Sequence, residues 1–553
     1  MIAQINSSPG IYLPPPTGHF NTYVTYNITL GIFIDLVEQP LAMYSWGDDK
    51  WIPMLATSWE VDKQNNSFIT HLRHGVKFHD GTDFTADDVL TTFYTGYLMN
   101  WAVWKYLDRI DAIDKYTVRF HMKVPSSVID RYILRTYQIR TKSTYGHFGT
   151  KVKQLVDAGK NLKSEELKKL RLELDQFRPN QRIGTGPFTV DMKDITESEI
   201  TLRKFPGYWD IDKIHFDQIK LYNGETPTIT PLILAKEIDY ATHGFPPATE
   251  RAFIREGIRI IRPPAFYGPA IAFKNDIYPF NVKEVRQAIA YAINRDEVGY
   301  VALGPSAKKQ VYMTGFSDNF VPRWIRPKTL NKLNQYEYNP KKAAQILTNL
   351  GFKKGIDGVW STDSGQRMEY ELMCVLEYAD YAGAAENIAL QLNKFGIKVS
   401  IRGITAAQYV VEMMQGRFQM VIMSWGVGHP HPHFSFYNNF INYNYTLGQG
   451  PGRNYPLVQD FKPYGKVDIE DLITKSTQGL DIEKQKDVVE EIALIFNEYL
   501  PIIPTFERYG NNPTVENLRL SPLPQDSPLY SNDFYADSFF TIMLLQGTLK
   551  PAP

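Results

Sequence analysis

The amino-acid sequence predicts an α/β protein with more than one hydrophobic core, and three observations support this. From residue 281 onwards, short apolar runs alternate with segments of helical periodicity, which is typical of a βαβ sheet covered by helices. Before that point, short strands and helices are mixed over residues 23–130. The chain has 553 residues, which is too long for one hydrophobic core, because single cores stop growing at about 250–300 residues.

The segment Leu72–Phe93 combines several local signals of structure. Apolar residues alternate as far as Phe78, and Asp80-Gly81 then indicates a turn. Thr85 is followed three residues later by Asp88, which is the spacing of a capping box. The sequence therefore predicts a strand, a turn and a helix whose N-cap is Thr85.

Three further residues indicate helix starts, because Ser and Asn are favoured N-cap residues. Ser164, Asn281 and Asn339 each stand before apolar residues with helical spacing. Glu284 follows Asn281 at the spacing of a capping box. Pro340 follows Asn339 at the first helical position, where proline is favoured. We therefore predict helices directly after each of the three caps.

The second half of the chain contains the clearest predicted strands, which are Glu371–Leu376, Lys398–Ile401 and Met420–Met423. A helix is predicted over 383–394, between the first two strands. Ligands of open α/β sheets bind outside the carboxyl ends of the strands. Residues that follow the third strand, beginning with Trp425, are therefore candidate ligand contacts.

Composition excludes several classes of function. The 60 basic and 60 acidic residues balance, and no basic stripe indicates binding to nucleic acid. Cys374, the one cysteine, lies in an apolar strand and is predicted to be structural rather than nucleophilic. No apolar run approaches the roughly 18 residues of a membrane span. A glycosidase-like pair of carboxylates stays open as an enzymatic alternative.

Two motifs resemble cofactor sites without completing one. Ile183–Phe188 contains Gly-Thr-Gly, but it lacks the third glycine of a phosphate loop, and Pro187 removes a backbone donor. His429, His431 and His433 alternate with prolines, so a metal site is an alternative for this segment. No HExxH motif supports it, and we expect neither a cofactor nor a metal.

Several motifs together resemble the family 5 extracellular solute-binding proteins, the oligopeptide-binding class of ABC importers. The resemblance covers nearly the whole chain. It rests on Leu72–Phe93 and on segments that lie both before and after it: Pro53–Trp59, Ile183–Phe188, Tyr208–Asp210, Val285–Arg295, Tyr338–Ala344 and Pro501–Thr505.

The resemblance implies a large class II periplasmic-binding-protein-like fold with a hinge between two lobes and an extra α+β subdomain. Lobe I is expected to combine residues 1–44, 180–270 and 487–553. The extra subdomain would comprise 45–179, with Trp101 and Trp104 in its core, and lobe II would comprise 271–486.

The resemblance also implies capture of a solute in the interlobe cleft and its delivery to an ABC permease. The protein is expected to act as a monomer, without enzymatic activity. No signal peptide is visible at Met1, and the resemblance favours a leader that was removed. The protein is therefore expected to be secreted, either periplasmic or lipid-anchored at the outer face of the cytoplasmic membrane.

The loop after Trp425 favours an oligosaccharide as the solute. In the peptide-binding branch this loop carries an acid that pairs with the peptide ammonium, whereas this chain has no Asp or Glu from Val421 through Val458. Aromatic faces and neutral donors suit sugar rings, and the sequence looks more like the members that bind β-linked cello- or manno-oligosaccharides. An oligopeptide is the alternative. The predicted contacts are Trp425, His429, His431, Asn223, Trp46, Tyr44, Phe20 and Asn21.

Overall fold

A computed structural model describes residues 1–5, 15–242, 244–444, 452–533 and 535–553. The chain divides into two compact units. Unit 1 comprises Met1–His243, Phe253–Ile261 and Asn512–Pro553, and unit 2 comprises Gly244–Ala252 and Arg262–Asn511. The predicted division into two lobes and an extra subdomain stays a prediction.

The strands are, in chain order, β1 (Ile2–Ile5), β2 (Ala42–Ser45), β3 (Lys50–Pro53), β4 (Ala56–Asp62), β5 (Ser67–Leu72), β6 (Leu107–Asp114), β7 (Thr117–Met122), β8 (Phe188–Thr189), β9 (Glu199–Lys204), β10 (Gln218–Asn223), β11 (Arg259–Ile261), β12 (Tyr267–Phe273), β13 (Ala307–Lys309), β14 (Lys353–Lys354), β15 (Trp360–Ser361), β16 (Glu369–Val375), β17 (Lys398–Ile404), β18 (Met420–Gly426), β19 (Val458–Phe461), β20 (Gly465–Asp468), β21 (Ile502–Pro504), β22 (Phe506–Arg508) and β23 (Asn512–Thr514).

The α-helices are α1 (Ala86–Leu98), α2 (Ile129–Arg131), α3 (Lys142–Asp157), α4 (Glu165–Gln176), α5 (Thr226–Leu234), α6 (Pro247–Arg255), α7 (Lys283–Ala292), α8 (Arg295–Leu303), α9 (Val321–Trp324), α10 (Pro327–Leu330), α11 (Pro340–Asn349), α12 (Ala379–Phe395), α13 (Ala406–Gln415), α14 (His433–Phe436), α15 (Ile469–Lys475), α16 (Ile482–Tyr499) and α17 (Phe539–Leu545).

Unit 1 contains two four-stranded sheets. The first has the order β1-β10-β9-β8, with β1 and β10 parallel and the other pairs antiparallel. The second, β4-β5-β7-β6, is antiparallel throughout, and α1 packs against both α3 and this sheet. A core of fully buried aromatic and aliphatic side chains, among them Phe33, Leu221 and Phe540, lies beside the first sheet.

The predicted capping box is confirmed at the start of α1. Thr85 is the N-cap, and its backbone N–H donates to the Asp88 carboxylate at 2.9 Å. The predicted strand before it ends earlier than expected, because β5 ends at Leu72. Gly75 adopts a positive φ of 75°, which turns the chain away from the sheet, so Phe78 is buried in a turn rather than in a strand.

Unit 2 is built on a five-stranded sheet with the order β17-β16-β18-β12-β21. β16 runs parallel to both β17 and β18, whereas β12 is antiparallel to β18 and to β21. Helix α12 connects β16 to β17, so the predicted strand–helix–strand unit is confirmed. Apolar cores lie on both faces of the sheet, because residues such as Leu372 and Met373 alternate between them.

The helix caps predicted in the second half differ in outcome. The Asn339 side chain accepts a hydrogen bond from Lys342 N at 2.9 Å with Pro340 in the first turn, so this cap is confirmed. The predicted Asn281 cap is wrong, because α7 begins at Lys283 with Val282 in the N-cap position. The N-cap residue Val282 has no side-chain oxygen, so this helix begins without a side-chain cap.

Candidate ligand-binding site

Tyr44 and Trp46, two of the predicted contacts, lie on a hairpin of unit 1. Strands β2 and β3 place Tyr44 opposite Trp51, and the two rings meet edge to face with centroids 4.9 Å apart. The Trp46 ring lies 6.3 Å from Tyr44, also edge to face. All three side chains are half-buried, so they form a partly exposed aromatic strip rather than a flat platform.

A buried arginine lies against this strip. The Arg131 guanidinium is 5.4 Å from the Trp46 ring centroid and 5.9 Å from those of Tyr44 and Trp51, within the range of cation–π attraction. Its Nη2 donates to the fully buried Asp537 carboxylate at 2.6 Å. We call Tyr44, Trp46, Trp51 and Arg131 the Arg131 cluster.

Asp537 holds the Arg131 cluster in place through several donors. Besides Arg131, it accepts from Trp46 Nε1 at 3.1 Å, from Tyr44 N at 3.1 Å and from Arg135 Nε at 2.5 Å. Burial alone raises the pKa of a carboxyl, but the two guanidinium groups outweigh it here and lower the pKa of Asp537. This carboxylate therefore stays charged and fixes the ring positions.

The remaining predicted contacts of unit 1 occupy different environments. Phe20 is part of the core, and Asn21 is fully buried, with its amide nitrogen donating to Leu174 O at 2.7 Å and Phe177 O at 3.1 Å. Asn21 therefore satisfies carbonyls at the end of α4. Asn223 is the last residue of β10 and is half-buried, so among these three its side chain is the most accessible.

Sequence reasoning missed a second aromatic group in unit 1. The Trp101 ring stacks on Tyr137 at 3.8 Å and 1° and on Tyr23 at 5.6 Å and 21°, and the Arg140 guanidinium lies 4.4 Å from the Tyr23 ring. Trp104 is buried as predicted, whereas Trp101 is half-buried. The three stacked rings come from three distant segments, so no local pattern signals the stack.

Trp425 lies at the carboxyl end of β18 in unit 2 and is fully buried. It faces Gly268 of β12 in the sheet, and its Nε1 donates to Phe506 O at 3.1 Å. Its indole is part of the core on one face of the sheet. The structure thus gives this side chain a packing role.

The three histidines after Trp425 form a local turn that we call the histidine turn, His429–His433. His429 Nδ1 accepts from His431 N at 3.0 Å, and His431 Nδ1 accepts from His433 N at 3.1 Å. Each neutral ring with an accepting Nδ1 carries its proton on Nε2. Burial lowers the pKa of His431 to about 3, and all three side chains are buried.

Neutral polar groups lie at the carboxyl edge of the unit 2 sheet. The Tyr381 hydroxyl is 2.9 Å from Ser424 Oγ, and Ser424 is exposed. Asn438 Nδ2 donates to Ser424 O at 3.0 Å and to Gly426 O at 3.2 Å. The loop backbone is thereby fixed beside the end of β18.

The two acids near this edge are already engaged. Glu377 accepts from Ala406 N, at the start of α13, at 3.0 Å. Asp380 forms a buried ion pair with Arg508 at 2.9 Å. Across the described ranges, no three His, Cys, Asp or Glu side chains come together as a metal site.

A family model identifies the type of protein. The model of the bacterial extracellular solute-binding proteins, family 5 Middle, matches residues 50–446, which is well over half of the chain. The chain belongs to this family. Its members are binding proteins without enzymatic activity that serve ABC importers through the permease subunits, and they are periplasmic or extracellular. None of the helices in the described ranges could cross a membrane.

Curated relatives of this solute-binding protein have low sequence identity to it but align over most of its length. It is 22% identical to the di/tripeptide-binding protein 1 of Pseudomonas aeruginosa, over 93% of this chain and 91% of the relative. It is 25% identical to the glutathione-binding protein of Shigella flexneri, over 65% of this chain and 62% of that relative.

Solved structures confirm the periplasmic-binding-protein-like α/β fold. The mannohexaose-bound periplasmic oligopeptide-binding protein of Thermotoga maritima matches with a TM-score of 0.74 and 20% identity, over 100% of this chain and 98% of the other. The oligopeptide-binding protein AppA of Bacillus subtilis, in complex with a nonapeptide, matches with a TM-score of 0.71 and 19% identity, over 100% and 99%.

Proposed function

We propose that this solute-binding protein captures a β-linked oligosaccharide of the cello- or manno- type and delivers it to its permease. The observation that supports the proposal best is the pair of neutral hydroxyl groups at the carboxyl edge of the unit 2 sheet. Ser424 and Tyr381 offer hydroxyl groups there, Asp380 is paired with Arg508, and Glu377 accepts from Ala406 N. Hydroxyl groups both donate and accept, which suits vicinal sugar hydroxyls.

The absence of acids in the sequence of the following loop supports the same proposal. Val421–Val458 contains no Asp or Glu, and residues 445–451 of it lie outside the described part of the structure. A peptide ammonium in contact with this segment would lack a charged acceptor, worth about 1.5–3 kcal/mol. The similar fold solved with mannohexaose bound is consistent with an oligosaccharide.

Half-buried side chains in unit 1 are the proposed aromatic and amide contacts, namely Tyr44, Trp46 and Asn223. Contacts from the buried side chains Phe20, Asn21, Trp425, His429 and His431 stay predictions from sequence. We further propose a secreted monomer, either periplasmic or lipid-anchored.

Short peptides are the second candidate solute. The observation that favours them is the similarity to peptide-binding relatives, since the Pseudomonas aeruginosa protein that matches 93% of this chain is a di/tripeptide-binding protein. A peptide solute predicts affinity that depends on a free amino end, whereas an oligosaccharide predicts affinity that depends on linkage and chain length.

Isothermal titration calorimetry separates the two candidates. The purified protein is titrated with cello-, manno- and xylo-oligosaccharides and with di- and tripeptides. Saturable binding of an oligosaccharide alone supports the proposal, and saturable binding of peptides alone contradicts it. Acetylating the amino end of any bound peptide then tests whether the ammonium contributes.

A matched pair of variants tests the carboxyl edge. Tyr381→Phe removes the hydroxyl beside Ser424, and we expect it to weaken oligosaccharide binding about two- to tenfold, since one hydrogen bond is worth about 0.5–1.5 kcal/mol. Tyr370→Phe is the control, because its hydroxyl is buried near the opposite end of the sheet and has no hydrogen-bond partner in the described part of the chain. Equal affinities in the two variants would remove Tyr381 from the site.

A further inference from the structure

Unit 2 contains two carboxyl groups, Glu507 and Asp318, that interact electrostatically and form no ion pair in the described part of the chain. Glu507, on β22, is buried, and Asp318 is half-buried between Ser317 and Asn319. The basic side chains that act on these carboxyls are bound elsewhere. Lys308, which lowers the pKa of Glu507, lies over the Tyr509 ring. Arg295, which lowers the pKa of Asp318, donates to Gln310 O and Tyr336 O.

The hydrogen-bond donors around Glu507 are too few for its acceptors. Ser317 Oγ lies 2.9 Å from each Glu507 oxygen, but a hydroxyl carries one proton and donates to one oxygen at a time. Asn319 Nδ2 donates to Oε1 at 2.6 Å. The second oxygen, Oε2, therefore accepts a hydrogen bond only when the Ser317 hydroxyl proton points to it rather than to Oε1.

A third acceptor belongs to the same cluster. Gln310 is fully buried, and its Nε2 donates to the Asp318 carboxylate at 2.8 Å and to Phe316 O at 2.8 Å. Its Oε1 is buried and has no hydrogen-bond partner among the residues that the structure describes. Because Oε1 and Nε2 share one amide carbon, this oxygen lies beside Asp318.

The electrostatics of the cluster also favour added positive charge. Burial raises the pKa of Glu507 to about 8, and the negative charge of Asp318 contributes. Burial likewise raises the pKa of Asp318 to about 6. Both directions mean that the folded chain alone disfavours the ionised carboxylates, which a cation between them would reverse.

We propose that Asp318, Glu507 and the amide oxygen of Gln310 bind a compact cation. All of these groups offer oxygen, which selects hard ions such as Ca²⁺ or Mg²⁺ over the softer transition metals. The ammonium group of a solute would supply the same charge in the same place. The cation site does not depend on the oligosaccharide proposal.

Thermal unfolding of the full chain tests the site. The protein is treated with EDTA, exchanged into buffer, and titrated with CaCl₂, MgCl₂, NaCl or glucosamine hydrochloride at ionic strength held constant with tetramethylammonium chloride. We expect one compact cation to raise the midpoint saturably, and calorimetry to give its affinity directly. Glucose is the neutral control for glucosamine, and stabilisation by glucosamine without any metal effect assigns the cation to a solute ammonium.

Two variants and a control decide whether the named residues are responsible. Glu507→Gln and Asp318→Asn should each weaken the affinity for the active cation at least tenfold, and circular dichroism checks their folding. Should one variant fail to fold, the other carries the test. Asp471→Asn, which removes an exposed acid paired with Lys475, should bind as tightly as the wild type. No saturable cation binding, or wild-type affinity in the folded variants, would overturn the proposal.

Discussion

The Arg131 cluster in unit 1 and the histidine turn with Trp425 in unit 2 are both aromatic groups beside a strand end, but they are fixed by different forces. Charged groups fix the first, because Asp537 binds Arg131 and the Trp46 indole together. Backbone groups fix the second, where imidazole nitrogens accept from N–H groups two residues on and Trp425 donates to Phe506 O.

The two groups also differ in how much of them meets solvent. Tyr44, Trp46 and Trp51 are half-buried, whereas Trp425 and His431 are buried. An aromatic ring can stack on a sugar only if one face is accessible. Residue type alone therefore does not distinguish a binding surface from a core. Solvent exposure favours the Arg131 cluster over Trp425 as the aromatic surface that contacts the solute.

The largest effect is expected from removing the carboxylate that fixes the Arg131 cluster. Asp537→Ala leaves two buried guanidinium groups, Arg131 and Arg135, without this partner. Breaking a buried pair in this way costs about 3–5 kcal/mol of unfolding free energy. Urea unfolding measures it. Asp157→Ala, which removes the exposed partner of Lys153 in the same unit, is the control and should have a far smaller effect.

A smaller effect is expected at Trp425. Trp425→Phe loses the hydrogen bond to Phe506 O and leaves space in a packed core, which together cost about 1–3 kcal/mol of unfolding free energy. The matched control is Trp51→Phe, at a half-buried ring, where the loss should be smaller. An unchanged stability in Trp425→Phe combined with weaker solute binding would reverse the comparison and place Trp425 in the site.

Local features of this fold could be predicted from sequence because their interactions lie within a few residues. The Thr85–Asp88 cap and the Asn339 cap connect positions three apart, and the β16–α12–β17 unit follows from periodicity. The environment of the candidate contacts depends instead on distant partners. Asn21 binds Leu174 O, 153 residues away, and Trp425 binds Phe506 O, 81 residues away. No local sequence pattern predicts contacts over such distances, so the sequence does not distinguish an aromatic side chain that is buried from one that is exposed.

The smallest effect is a pH dependence of the histidine turn. Burial, with a smaller contribution from His433, lowers the pKa of His431 from 6.5 to about 3. Between these two pH values the unfolded chain binds a proton that the folded chain does not. The unfolding free energy therefore falls as the pH is lowered below 6.5, and above pH 6.5 His431 causes no such loss.

His431→Asn removes the titration, and its Oδ1 can still accept from His433 N. The wild type should lose about 1 kcal/mol more per pH unit than the variant between pH 6 and pH 4 in urea titrations. Equal slopes would mean that His431 titrates alike in both states, and the two curves should run parallel above pH 7.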